Sequence, residues 1–214
     1  MHKVPKVRIS EANTIPVNPG GAFVLYWMTA FRRRNWNFSL QRAVEWSIAL
    51  HKPLVILEAL RCDYPWSSER LHHFILAGMK DNRRHFEEAS VLYFPFVERK
   101  MDEGKGLLEA LGSHACVVVA DDSPAFFLPR MIQAAARVLR VKLELVDSNG
   151  LLPLRALDRV FSTAFSFRRS LQMHLPEHLG QFPAEDPLAE AHLPAPVALP
   201  GGVIERWPPA GEDI

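Results

Sequence analysis

The chain has 214 residues, 48% of them hydrophobic and 23% charged, which is enough for one large domain or two small ones with a sizeable core and excludes a disordered, collagen-like or coiled-coil chain. Its 25 basic and 24 acidic residues leave a formal charge of +1, so there is no electrostatic case for a dedicated nucleic-acid or membrane-surface binder. The charge is unevenly spread: residues 183–214 hold six acids (Glu185, Asp186, Glu190, Glu205, Glu212 and Asp213) against Arg206, a net of −5, so residues 1–182 carry +6.

The first 21 residues read as an N-terminal extension without the apolar centre of a secretory leader. Five short apolar runs follow: Ala22 to Met28, Pro53 to Leu60, Ser90 to Val97, Ala115 to Ala120 and Val141 to Val146. Most are continuous rather than alternating, as in parallel strands covered on both faces. The last alternates, which suits an edge strand. Helical spacing separates them. One helix opens at Phe38 and carries Leu40, Val44, Ile48 and Leu50; a second runs from about Ser68 to Glu88; a short third spans Lys105 to Leu111 and closes at Gly112. For the fourth, Asp121, Asp122 and Ser123 offer capping side chains, Pro124 suits the first turn, and Met131 to Leu139 continues the pattern. A doubly wound α/β domain with a five-stranded parallel sheet is therefore expected over residues 22–150. Residues 151–182 hold a further helical pattern, Leu157 to Leu175. Residues 183–214, with seven of the 17 prolines and no periodicity, read as an acidic linker or tail.

No apolar run approaches the roughly 18 residues needed to span a bilayer. Cys62 and Cys116 lie far apart, each beside an apolar stretch, which suits reduced thiols in a cytoplasmic protein. Ligands of doubly wound sheets bind beyond the carboxyl ends of the strands, here the loops Thr29 to Trp36, Arg61 to Ser67 and Asp121 to Ser123. The first of these, TAFRRRNW, has neither GxGxxG nor GxxxxGK[ST], and the chain has no GxSxG, HExxH or CxxC. A dinucleotide-dependent dehydrogenase, a P-loop enzyme and a small-molecule hydrolase lose their local signatures.

Weaker signals remain. Arg32, Arg33 and Arg34 suit an anion site or, equally, a solvated loop paired with acids. Adjacent His72 and His73 point to different helix faces and make a poor metal site. Asp121 and Asp122 resemble a paired-carboxylate site, although helix capping alone favours acids there. Trp27, Trp36, Trp46 and Trp66 fit packing, or stacking on a planar ligand where a ring stands near a strand end.

Two stretches together carry a resemblance. VLYWMTAFRRRNWNFSL followed by KPLVILEALRCDYPWSSERLHHFILAGM, Val24 to Met79, resembles the start of the DNA photolyase and cryptochrome superfamily, above all class II photolyases, through Tyr26, Trp27, Met28, Arg32, Asn35 and Trp36. VDSNGLLPLR and FSTAFSFRRSLQMHLPEHLGQFP are similar to the segment after that family's fifth strand, through Val146, Asp147, Leu175, Pro176, Glu177, Phe182 and Pro183. Thr29, Ala30 and Phe31 depart from the family's usual serine-arginine-aspartate, and Phe161, Phe165 and Phe167 replace polar positions.

The resemblance implies an antenna-type domain for a deazaflavin or folate chromophore. It implies that FAD belongs to a separate helical domain, absent from this chain, through which alone DNA is bound and pyrimidine dimers are split by light-driven electron transfer. By itself the chain is then expected to be catalytically inactive. The resemblance and the sheet rule together point to Met28, Arg32, Leu60, Arg61, Asp121 and Asp122 as chromophore-binding residues, with no catalytic or metal-binding residue. The other reading is a non-catalytic interaction module that presents its arginine loop and Arg155, Arg159, Arg168 and Arg169 to a protein partner.

Overall fold

The computed structural model describes residues 2–211; of the acids counted above, Glu212 and Asp213 lie outside it. Its strands are β1 (Ile9–Glu11), β2 (Phe23–Met28), β3 (Leu54–Leu60), β4 (Leu92–Val97), β5 (Ala115–Asp121) and β6 (Leu143–Val146). Its helices are α1 (Phe38–Leu50), α2 (Glu69–Glu87), α3 (Leu107–Gly112), α4 (Leu128–Val138), α5 (Ala164–His174) and α6 (Gly201–Arg206). The sheet order is β1-β6-β5-β2-β3-β4, and every pairing is parallel except that of β1 with β6.

All five expected strands are present, but the sheet has six. The added strand is β1, three residues of the N-terminal stretch, too short to show a period. It pairs Ile9 with Val146, so β6 lies inside the sheet and all four of its residues are buried. Arg8, itself buried, fastens this stretch further: its guanidinium donates to the carbonyls of Asp147, Asn149, Gly150 and Leu151 and lies over the Phe38 ring.

Alternate residues of the central strand feed two cores. Val24, Tyr26 and Met28 pack with Phe38, Leu40, Val44 and Phe86 of α1 and α2. Phe23, Leu25 and Trp27 pack with Leu107, Leu111, Ile132, Ala135 and Val203 of α3, α4 and α6, and with Trp207 just beyond α6. Two layers of helices thus sandwich the sheet. The Asn37 side chain caps α1 by accepting from the Ser39 and Leu40 amides, and His51 closes it in the left-handed region. The fourth helix starts later than its sequence suggests. Asp121 ends β5, and α4 begins at Leu128 with Pro129 in its first turn and no side-chain cap. The pattern from Leu157 yields only α5, continued by a 3₁₀ turn at Leu175–His178.

Residues 183–211 run along the domain as a strap. The Ala184 amide donates to Gln41, the Trp36 amide to the Glu185 carbonyl, and Arg34 pairs with Asp186 at 2.6 Å. Leu188, Leu199, Val203 and Trp207 are buried, and the Ala210 amide reaches the Pro95 carbonyl of β4. Among the described residues no helix is long and apolar enough to cross a membrane.

Candidate functional site

Beyond the carboxyl ends of β2, β3 and β4, on the side of α3 and α4, lies a cavity of about 620 Å³. That is ample for a drug-sized ligand. Its floor is built from inward residues of the strands, Trp27, Leu57 and Phe96, and its sides from Leu107, Leu108 and Met131 of the flanking helices. The loop after β3 supplies Tyr64, Pro65 and Trp66, the loop after β5 Phe126 and Phe127, and the first turns of α2 Leu71 and Ile75. The lining is strongly aromatic. Polar groups stand at a few points: Arg61, Lys105, Asp102, Glu98 and Thr29.

Glu98 ties two of these loops together. Its buried carboxylate accepts from the Cys62 amide at 3.1 Å and the Gly104 amide at 3.2 Å. Arg61, half exposed, stands 3.8 Å from Glu98 and 3.9 Å from Asp102. At those distances it is loosely held and able to meet an anionic group. Tyr64 packs tilted against His72 and Phe127, with ring centroids 5.5 and 5.3 Å apart. Burial pushes its phenol up from the ordinary tyrosine value, against the opposing pull of Arg32.

The structure brings together three of the six residues expected from the sequence. Arg32, Leu60 and Arg61 line the cavity. Met28 lies on the opposite face of β2, fully buried in the core of α1 and α2, its sulfur 3.8 Å from the Asn82 amide nitrogen. Asp121 is buried and occupied. It accepts from the Tyr26 hydroxyl at 2.8 Å and from the amides of Thr29, Ala30 and Phe31 at 2.8, 2.7 and 3.0 Å. Burial, with the Asp121 charge beside it, raises the Tyr26 phenol well above its ordinary value, so it remains a donor. Asp122 pairs with Arg155. Asp121 and Asp122 therefore form no paired-carboxylate site: one shapes the loop after β2, and the other anchors the segment after β6.

Arg32 also has its guanidinium committed. It donates to Glu58 Oε1 at 3.1 Å, to the Ala59 carbonyl at 2.8 Å and to the Thr29 carbonyl at 3.3 Å. Glu58, an acid within the apolar run LVILEAL, is completely buried on β3 and accepts from Asn82 at 2.9 Å and the Tyr93 hydroxyl at 2.7 Å. Burial and the Glu58 charge raise the Tyr93 phenol far above its usual range. The loop after β2 is thus held from both sides, by Asp121 and by the Arg32–Glu58 pair. Arg33 donates to its own loop at Asn35 and Trp36, and Arg34 serves the strap.

Sequence reasoning did not single out Tyr64, Lys105 or Phe126. The clusters Tyr64-Pro65-Trp66 and Phe126-Phe127 were the available signal, since large apolar residues in loops after strands have no routine place to pack.

No protein-family model matches the chain. The deoxyribodipyrimidine photo-lyase of Methanothermobacter thermautotrophicus is 30% identical to it over 169 residues, 78% of this chain. The match covers 37% of that relative's length. A solved universal stress protein in complex with cAMP superposes with a TM-score of 0.39 at 14% identity, over 60% of this chain and 99% of its own. The likeness to the photo-lyase supports a photolyase-like N-terminal α/β domain.

Proposed function

We propose that the chain is the antenna-type domain of a photolyase-like protein and that the cavity beyond β2, β3 and β4 holds a planar chromophore, a deazaflavin or a folate. The carrying observation is the cavity: an aromatic, mostly apolar enclosure at the carboxyl edge of the sheet with a few polar groups at its rim. Trp27, Leu57 and Phe96 would cover the faces of a fused ring and exclude water, while Arg61 and Lys105 would meet a negatively charged substituent. Bound there, such a chromophore supplies light absorption, its energy passing to a flavin held elsewhere.

The parent activity in this reading is light-driven, FAD-dependent repair of pyrimidine dimers in the cytoplasm. The residues that bind FAD and DNA are assigned to a helical domain outside this chain, which spans 37% of the photo-lyase it matches. In this reading the contribution of this chain's residues to that activity is pigment binding. A second reading is favoured by α5, where exposed Phe165 and Met173 share one side with Arg168 and Arg169: an apolar and basic helix face suited to a protein partner.

Titration of the purified chain with deazariboflavin and with methenyltetrahydrofolate tests the proposal. One of the two is expected to bind at micromolar concentration or tighter, with a shifted near-ultraviolet to blue band and quenched tryptophan fluorescence. A chain that binds neither leaves the interaction module as the better account.

A further inference from the structure

Three loops line the cavity, and each is bent through a non-glycine residue in the left-handed region. Among the described residues five non-glycine residues have positive φ, and three of them line this cavity: Trp66 at 69°, Asp102 at 62° and Phe126 at 57°. Asp tolerates the left-handed region through local hydrogen bonding, but for a bulky side chain it is a genuine outlier. Backbone strain of this kind gathers where a site requires it.

Trp66 and Phe126 share a second oddity. Both line an apolar cavity, yet they are 74% and 76% exposed. They reach across from different loops, one after β3 and one after β5, and touch edge to face with ring centroids 5.7 Å apart. Left-handed backbone at both positions thus accompanies two large, exposed rings that meet at the cavity wall. The base of the loop carrying Trp66 is fixed by Glu98 through the Cys62 amide, but its interior contact with α2 leaves polar atoms unpaired. The Tyr64 hydroxyl and His72 Nε2 are buried without hydrogen-bond partners, and such atoms favour an alternative arrangement in which they are solvated or paired.

We infer that Trp66 and Phe126 are ligand-contacting residues that form an aromatic lid, closing over the outer edge of a planar fused-ring ligand in the cavity and parting to release it. The inference rests on the reading of the cavity as a ring-binding site and adds the residues that set how long the ring stays. The geometry chooses a lid rather than a clamp. A ring sandwiched between the two side chains would need their centroids about 7 Å apart, twice an optimal carbon contact of about 3.5 Å. At 5.7 Å the rings bar that position and leave room only beneath them. Opening moves two exposed loops and no strand.

The experiment measures dissociation of deazariboflavin and methenyltetrahydrofolate from the full chain by stopped-flow displacement, with thermal unfolding of each variant alongside. Trp66→Ala and Phe126→Ala are each expected to speed dissociation about tenfold, with association little changed, because affinity differences within one site reside mainly in the off-rate. The double variant should release ligand no faster than either single one, since each ring closes against the other. Trp66→Phe should retain slow release. Trp66→Gly and Phe126→Gly, which suit the left-handed backbone, should release as fast as the alanine variants while unfolding at or above the temperature of the unaltered chain. Dissociation unchanged in all variants would overturn the lid and leave the chromophore reading intact. Fast release accompanied by a lower unfolding temperature in the glycine variants would overturn it in favour of a purely structural role. Failure of the unaltered chain to bind either probe overturns the chromophore reading, and the lid with it.

Discussion

Arg32 shows how a residue at the right place for a ligand can be engaged elsewhere. It lines the cavity, but its nitrogens are committed to Glu58 and to two carbonyls of neighbouring strand ends, so its role is to hold the loop after β2 in place. Removing it strands a fully buried carboxylate with only Asn82 and Tyr93 for company. Arg32→Ala is therefore expected to lower unfolding free energy by about 2–4 kcal/mol, the penalty of leaving a buried charge without its counter-ion. Arg32→Lys should recover only part of this, because a lysine cannot serve three acceptors in a fixed fork. Urea denaturation measures both. A loss under about 1 kcal/mol would show that Asn82 and Tyr93 suffice to stabilise Glu58. Ligand loss in Arg32→Ala would follow from the displaced loop and would not mark a direct contact.

At the scale of elements, the strap depends on a few anchors rather than on a repeating pattern. Burial pushes the Asp186 carboxyl up, but the Arg34 guanidinium and the amides of Leu188 and Ala189 outweigh it and hold its pKa below the ordinary carboxylate value. A depressed folded pKa contributes stability above the unfolded value of about 3.9, and that stability is lost as pH falls through the folded value. Asp186→Asn should thus be less stable than the unaltered chain from pH 5 to 8, with the difference closing below about pH 4. Urea midpoints of the pair from pH 8 downwards check it; a difference that does not narrow at all as pH falls below 4 would mean that the contact acts through shape and not charge. The strap also shows where sequence reading stopped. The strands of the sheet, α1 and α2 were legible because continuous or periodic apolar runs leave few choices of element. Leu188, Leu199, Val203 and Trp207 are isolated among prolines and acids, so no period betrays that they are buried. The same applies to β1, and to the lid. A loop tryptophan is visible in a sequence, but its backbone angle and its partner across the cavity are set by tertiary structure. Glu58 and Asp121 were hidden in another way: Glu58 stands unmarked within an apolar run, and Asp121 reads from the sequence as a helix cap or chromophore contact, whereas tertiary structure makes both of them buried acceptors.

For the molecule as a whole, the joint between β2 and β5 is the position where the strand order reverses, and it is closely fitted. A Cβ on Gly21 would stand 2.5 Å from both the Ala115 carbonyl carbon and the Cys116 amide nitrogen. Gly21→Ala must therefore push the two central strands apart and is expected to destabilise the domain by about 2–3 kcal/mol, an overpacking cost. Gly78→Ala serves as its control: nothing lies within 4 Å of the added methyl in α2, and the helix should gain about 0.5–1 kcal/mol. Thermal or urea unfolding of the two variants should move in opposite directions. The sheet also has two outer borders, and each is treated differently. One ends in the antiparallel β1. The other is β4, where Pro95 offers no amide hydrogen and its carbonyl is already taken by Ala210. A foreign strand laid along that margin would find the ladder interrupted at mid-length, so the final residues of the strap double as a guard against chain-to-chain polymerisation.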